Sequence, residues 1–190
     1  MKEQLQKDFE NIIKNLSLSQ RDIEIKKFYL DSFINKGFPN RKEEDWKFSD
    51  LNQIIKKNIG ELSFYSDYTS TNKVDTSVFV DGLEHNKIVF INGRIEKIDF
   101  DYEKKDQIEI IDQSETINKF DNNNSLSDLN NAFTNKSFKI VIKNSYKLSK
   151  PLIIYHTTNS KIWSKNINLK LDFELQEDSS LRLIDLFNDT

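Results

Sequence analysis

The sequence predicts an α+β protein in which a small helical domain precedes a β-rich domain. Apolar residues recur with a helical period in the first third of the chain and with a period of two in the last half. Four strand-like runs, 138–143, 152–157, 167–175 and 181–187, also start 14 or 15 residues apart, and no helical pattern separates them. Even spacing of this kind is typical of a β-solenoid or a sandwich, and it slightly favours the solenoid.

Two long helices and one short helix are predicted before residue 60. One apolar stripe spans Lys2–Leu16, and Ser19 stands at capping-box spacing before a second helix that runs to about Lys36. Gly37 then ends that helix, because glycine readily adopts the positive φ of a helix C-terminus. Ser49 is predicted to cap a short helix through Asn58.

The predicted domains are a helical domain at 1–60, a linker at 61–84 and a β-rich domain at 85–190. The linker stretch mixes Ser, Thr, Asp and Tyr without a period. Asn92-Gly93 between two apolar runs predicts a tight β-hairpin, since both residues tolerate the positive φ values that the turn requires. Leu126, Leu129 and Phe133 predict a short helix before the evenly spaced strands.

Composition excludes several classes of function. The 28 basic and 31 acidic residues give a net charge of −3, which disfavours nucleic-acid and membrane-surface binding. There is no cysteine, there are only two histidines, and no glycine pair fits a phosphate-binding loop. No secretory or membrane-spanning segment is present in the sequence. We therefore expect a cytoplasmic protein that is not an enzyme and binds no metal or other cofactor itself.

Individual polar and aromatic residues are interpreted as structural. His156 is expected to be a satisfied histidine at a strand end, and His85 an exposed loop residue. The acidic run 99–106 lacks the glycine turn of a calcium loop and is interpreted as a solvated charge run. Trp46 is expected to anchor the charged segment around it. Trp163 is expected to anchor a turn between rungs, with a partner contact as the alternative.

Three segments, in this order, resemble the SufD proteins of the SufB/SufD family. Arg41–Leu51 is similar to their Arg-Lys-x-Glu-x-Trp-Lys-Tyr-Thr-x-Leu motif, with Phe48 for the tyrosine and Ser49 for the threonine. Val89–Arg94 resembles their Val-Phe-Val-Asn-Gly-Arg hairpin. Leu129–Phe133 and then 150–156 are similar to the beginning of their β-helix. The motif residues, all interpreted as structural, are Arg41, Glu44, Trp46, Lys47, Asn92, Gly93, Arg94 and Pro151.

The resemblance implies a non-catalytic scaffold subunit for iron–sulfur cluster assembly in the SUF system. It implies a helical domain followed by a right-handed parallel β-helix, and two partners, a SufB-like paralogue and a SufC-like ATPase that binds the ATP. Family members are longer, so the chain is expected to be a truncated N-terminal part with the first rungs of the β-helix. The cluster is handled by the complex, and the resemblance assigns no cluster ligand to this chain.

The strand spacing alone leaves a second class of function open. A β-solenoid can also bind or degrade polysaccharide, presenting carboxylates or aromatic rings from successive rungs. The predicted strand faces here carry Ile, Leu and Lys instead.

Overall fold

The fold was analysed in a computed structural model that describes residues 2–14, 16, 18–58, 60, 62–65, 75–114, 124–158, 162 and 165–189. The chain divides into two compact units. Unit 1 comprises Met1–Ser66, Ser114–Asn135 and Ser164–Lys170, and unit 2 comprises the remaining segments. The predicted linker lies partly outside the described residues, as does Trp163, so both interpretations stay predictions. Within the described residues, no helix has the length and apolar character needed to cross a membrane.

Unit 1 is built on helices. They are α1 (Lys2–Lys14), α2 (Gln20–Lys36), α3 (Leu51–Asn58) and α4 (Ser125–Phe133). Apolar residues from all four helices and from the connecting segments form one core. Phe133 of α4 lies near its centre and stacks on Phe64, with the ring centroids 3.7 Å apart.

The helix ends are capped by side chains and backbone groups. The Ser19 hydroxyl accepts a hydrogen bond from the backbone N–H of Asp22, as its spacing predicts. Gly37 adopts a φ of 73° and donates its N–H to the Phe33 carbonyl at the end of α2. The predicted cap of α3 is wrong by one residue: Asp50, not Ser49, accepts the bond, from Gln53 N–H at 3.0 Å. A carboxylate is the stronger acceptor here because it also interacts favourably with the helix dipole.

Two polar contacts join α2 to α4. Near one end, the ammonium group of Lys26 binds the carbonyl oxygens of Asn131 and Thr134 at the C-terminus of α4. Burial lowers the pKa of Lys26 to about 8. Near the other end, the buried carboxylate of Asp128 lies 2.9 Å from Lys36 Nζ. The two contacts fix α2 and α4 antiparallel, since residue numbers rise along one helix as they fall along the other.

The strands form two sheets. They are β1 (Asn86–Ile91), β2 (Arg94–Asp99), β3 (Ile108–Asp112), β4 (Lys136–Ile142), β5 (Leu152–Thr158), β6 (Leu169–Leu175) and β7 (Leu183–Asp189). One sheet has the order β2-β1-β5-β7 and the other β3-β4-β6. Four helices and two sheets among the described residues confirm the predicted α+β class.

β5 lies inside the first sheet, with a parallel strand on each side. Ile154 pairs with Ile88 of β1 and with Asp185 of β7. β1 also pairs with β2 in the predicted antiparallel hairpin, where Asn92 and Gly93 adopt φ values of 51° and 80°. The positive φ at both turn positions matches the conformation that Asn-Gly predicts.

Replacing Asp128 tests the junction between α2 and α4. Asp128→Ala should lower the free energy of unfolding by about 2 kcal/mol, because Lys36 and the Ser32 hydroxyl, which donates at 2.8 Å, both lose their acceptor. Urea denaturation followed by circular dichroism measures the change. Asp31→Ala is the control, since Asp31 is exposed on α2 and should change stability by less than about 0.5 kcal/mol. Equal losses in both variants would contradict the importance of the buried contact.

Candidate functional site

The first motif segment forms a compact turn on unit 1. Glu44–Trp46 is a single turn of 3-10 helix, and Lys47 Nζ lies 4.0 Å from the Glu44 carboxylate. Arg41, Glu44 and Lys47 are exposed, whereas Trp46 is half-buried. Phe48 is 92% exposed, and the Lys47 ammonium lies 5.9 Å from its ring centroid. The anchoring role of Trp46 therefore depends on a partly buried ring and stays a prediction.

The other motif residues lie at the ends of the paired strands β1, β2 and β5. The buried Asn92 donates its backbone N–H to the Thr157 carbonyl at 3.0 Å, at the end of both strands. At their start, the Pro151 carbonyl accepts the Asn86 N–H at 2.8 Å. The Arg94 side chain lies 3.8 Å from the Glu96 carboxylate. These contacts give the hairpin and Pro151 structural positions at opposite ends of one strand pair.

The motif residues consequently do not form one cluster. Arg41, Glu44, Trp46 and Lys47 belong to unit 1, and the hairpin residues and Pro151 belong to unit 2. Their shared property is that they shape turns and strand ends.

A hydrogen-bonded carboxylate organises one end of unit 2. Glu103 accepts bonds from the Asn86 amide at 2.9 Å, the Tyr146 hydroxyl at 2.7 Å, the Ser149 hydroxyl at 3.0 Å and the Lys150 N–H at 3.1 Å. Burial alone would raise the pKa of Glu103, but these bonds outweigh it and hold the pKa below its usual value. The expectation of a solvated charge run is therefore wrong at Glu103. The local sequence does not indicate these contacts, because the partners of Glu103 lie more than 40 positions further along the chain or at the start of β1.

His85 is buried, so the expectation that it is an exposed loop residue is wrong. Its Nδ1 lies 2.6 Å from the Leu83 carbonyl, and that carbonyl can only accept. Nε2 is hydrogen-bonded to the Tyr155 hydroxyl, 2.7 Å away. The same hydroxyl accepts the Val80 N–H at 3.0 Å. The contacts of both His85 ring nitrogens fix the segment that precedes β1.

His156 occupies the middle of a ladder of stacked rings across β1, β5 and β7. It pairs with Phe90 on one side and Phe187 on the other, and its ring is parallel to both within 9°. The centroids are 5.3 Å from Phe90 and 4.5 Å from Phe187. Nε2 lies 2.8 Å from the Asp185 carboxylate. Burial lowers the pKa of His156, while Asp185 opposes the shift. His156 lies two residues before the end of β5, and the charged neighbour of its Nε2 is the Asp185 carboxylate.

Unit 1 also contains a cavity of about 410 Å³ that the sequence analysis did not identify. Leu5, Phe38 and Ile55 form its buried wall. Polar side chains of α1 and α3 stand at its edge. The residues that line it are Gln4, Leu5, Phe38, Asn52, Ile55, Lys56, Gly60 and Leu62.

Within the described residues, no group of three or more His, Asp or Glu side chains has the arrangement of a metal site. No family model matches the chain, and no curated protein matches it.

Removing the Glu103 charge should destabilise unit 2 in a pH-dependent way. Glu103→Gln should lower the free energy of unfolding by about 2 kcal/mol at pH 7. Because the pKa of Glu103 is lowered in the fold, its contribution is present above the unfolded value, about 4.3, and is lost as pH falls through the folded value. Denaturation at several pH values should show the difference from wild type shrinking below pH 4.

Glu109→Gln is the matched control, because Glu109 is an exposed glutamate on β3. It should leave stability and its pH dependence close to those of the wild type. A Glu103→Gln deficit that persists unchanged at pH 3 would mean that the charge contributes nothing.

The titration of His156 should depend on Asp185. Its NMR midpoint should lie below the ordinary value of about 6.5, and Asp185→Asn should lower it further by removing the favourable charge. Asp178→Asn is the control, since Asp178 lies in the turn before β7 with a positive φ that asparagine also tolerates. With two histidines in the chain, His85→Gln assigns the signals. A midpoint raised by Asp185→Asn would contradict the contact.

Proposed function

We propose that this protein is a SufD-like scaffold subunit of the SUF iron–sulfur cluster assembly complex. The observation that carries the proposal is the ordered series of three motifs: Arg41–Leu51, Val89–Arg94, and Leu129–Phe133 with 150–156. In this proposal the subunit is cytoplasmic and non-catalytic, and it associates with a SufB-like paralogue and a SufC-like ATPase. The cluster is cargo of the complex, and ATP is bound by the SufC-like partner.

The hydrogen bonds between successive segments of unit 2 support the β-helix part of the proposal. Leu152 pairs with Leu183, 31 positions later, and the parallel register continues to the end of β5. The connecting turns are bonded as well as the strands. From β4 onward the bonds are Gln176 N–H to Ile142 O, Ser145 N–H to Glu177 O, Leu148 N–H to Ser180 O, and Leu152 N–H to Arg182 O.

The number of positions between hydrogen-bonded partners, called the offset here, is nearly constant through strand, turn and strand. A constant offset is the pattern expected of stacked rungs. In a sandwich of hairpins the offset would shrink steadily along each strand pair, because neighbouring strands run in opposite directions. The rings of Phe90, His156 and Phe187 stack in register across β1, β5 and β7, as side chains at equivalent positions do in successive rungs. This repetition favours a β-helix, and a β-helix is the architecture that the motifs imply.

The turn positions of the motif residues are also consistent with a scaffold. Asn92 and Pro151 help to hold β1 beside β5, and β5 in turn carries β7. In this proposal these residues maintain the surface that a paralogous subunit recognises, and they take no part in bond making or breaking.

Co-expression tests the proposed partners. A tagged form of the protein should purify in a stoichiometric complex with the SufB-like and SufC-like proteins of the same cell. Deleting its gene should lower the activity of iron–sulfur enzymes, while enzymes without a cluster keep theirs. Binding to polygalacturonate without any SufB–SufC complex would overturn the proposal and favour a polysaccharide-directed solenoid.

A further inference from the structure

We propose that the cavity of unit 1 is a binding site for a small apolar monocarboxylate, of the kind represented by a medium-chain fatty acid. Its volume of about 410 Å³ is in the range of small-molecule sites. This inference concerns unit 1 alone and does not depend on the scaffold function.

The apolar part of the ligand is defined by the cavity wall. Leu5 of α1, Phe38 and Ile55 of α3 are all less than 9% exposed, yet they border open space. Leu62 closes the wall and packs against the same core. An alkyl chain that enters this space removes apolar surface from water at both partners, which is the main driving force for such ligands.

The polar part of the ligand is defined by α3. Asn52 and Lys56 are one helical turn apart, so they lie on the same face of the helix, with Ile55 beside them. Within the described part of the chain, neither side chain has a hydrogen-bond or ion-pair partner. Among the described residues that line the cavity, Lys56 is the only ionisable one, and its side chain is exposed at the rim.

The sign of the head group follows from this lining. An ammonium and a carboxamide beside an apolar wall complement a carboxylate, which accepts from both. The other amide in the lining, Gln4, donates to Asp8 at 2.8 Å. A cationic amphiphile would meet Lys56 with like charge, so the cavity should discriminate against it.

Calorimetric titration with decanoate, decanol and decylamine, each below its micelle concentration, tests the site. Wild type should bind decanoate at least about tenfold more tightly than decanol, as one charge-assisted hydrogen bond predicts. Decylamine should bind no better than decanol. Lys56→Met should reduce decanoate affinity to that of decanol, whereas Lys57→Met, the adjacent lysine outside the lining, should leave it unchanged.

NMR locates the binding and guards against nonspecific uptake. Decanoate should shift the amide signals of Leu5, Ile55 and Leu62, and Asn52→Trp should abolish the shifts by filling the cavity without lowering the melting temperature. Equal effects of Lys56→Met and Lys57→Met would overturn the proposal, as would shifts confined to unit 2. Tighter binding of a capped Leu-Leu peptide than of decanoate would assign the cavity to a polypeptide segment and would also overturn it.

Discussion

The parallel pairing of β5 with β1 and β7 is the constraint on which unit 2 depends. Leu152 to Tyr155 are almost completely buried, so every backbone group of this stretch needs a partner inside the protein. Parallel neighbours on both sides provide those partners. Parallel strands cannot be joined by a tight turn, so the chain must travel a long way between them. The segments that connect these parallel strands contain β3, β4 and β6, which form the second sheet.

Local sequence patterns predict where the strands of this fold lie better than they predict which strands pair with each other. The alternation of apolar residues locates the last four strands to within about two residues, because it reflects burial of each strand's own faces. Asn92-Gly93 predicts its hairpin because the turn is decided by two adjacent residues. The order β2-β1-β5-β7 could not be predicted in the same way, since β1 and β5 are separated by 60 residues of intervening chain.

Helix α4 shows that the partners of a helix are equally hard to predict from local sequence. Its existence follows from Leu126, Leu129 and Phe133, but it lies within a stretch of sequence that is otherwise rich in strands. Its membership of unit 1 depends on Lys26 and on Asp128, whose partners are roughly a hundred positions away in sequence. No local window contains both members of either contact. For the same reason the sequence predicts Glu103 and His85 to be solvent-exposed loop residues, because the partners that they contact are distant in sequence.

The buried polar contacts also explain why the cavity stands out. A polar group away from water is retained where a partner compensates its desolvation, and the buried Lys26 and Asp128 follow this rule. Lys26 binds the carbonyls at the end of α4, and Lys36 binds Asp128. Lys56 differs, because it is exposed at the rim of an apolar cavity and none of the described residues accepts a hydrogen bond from it. An alkyl chain that fills the cavity brings its head group close to the Lys56 ammonium, and a carboxylate there accepts from Lys56 as Asp128 accepts from Lys36.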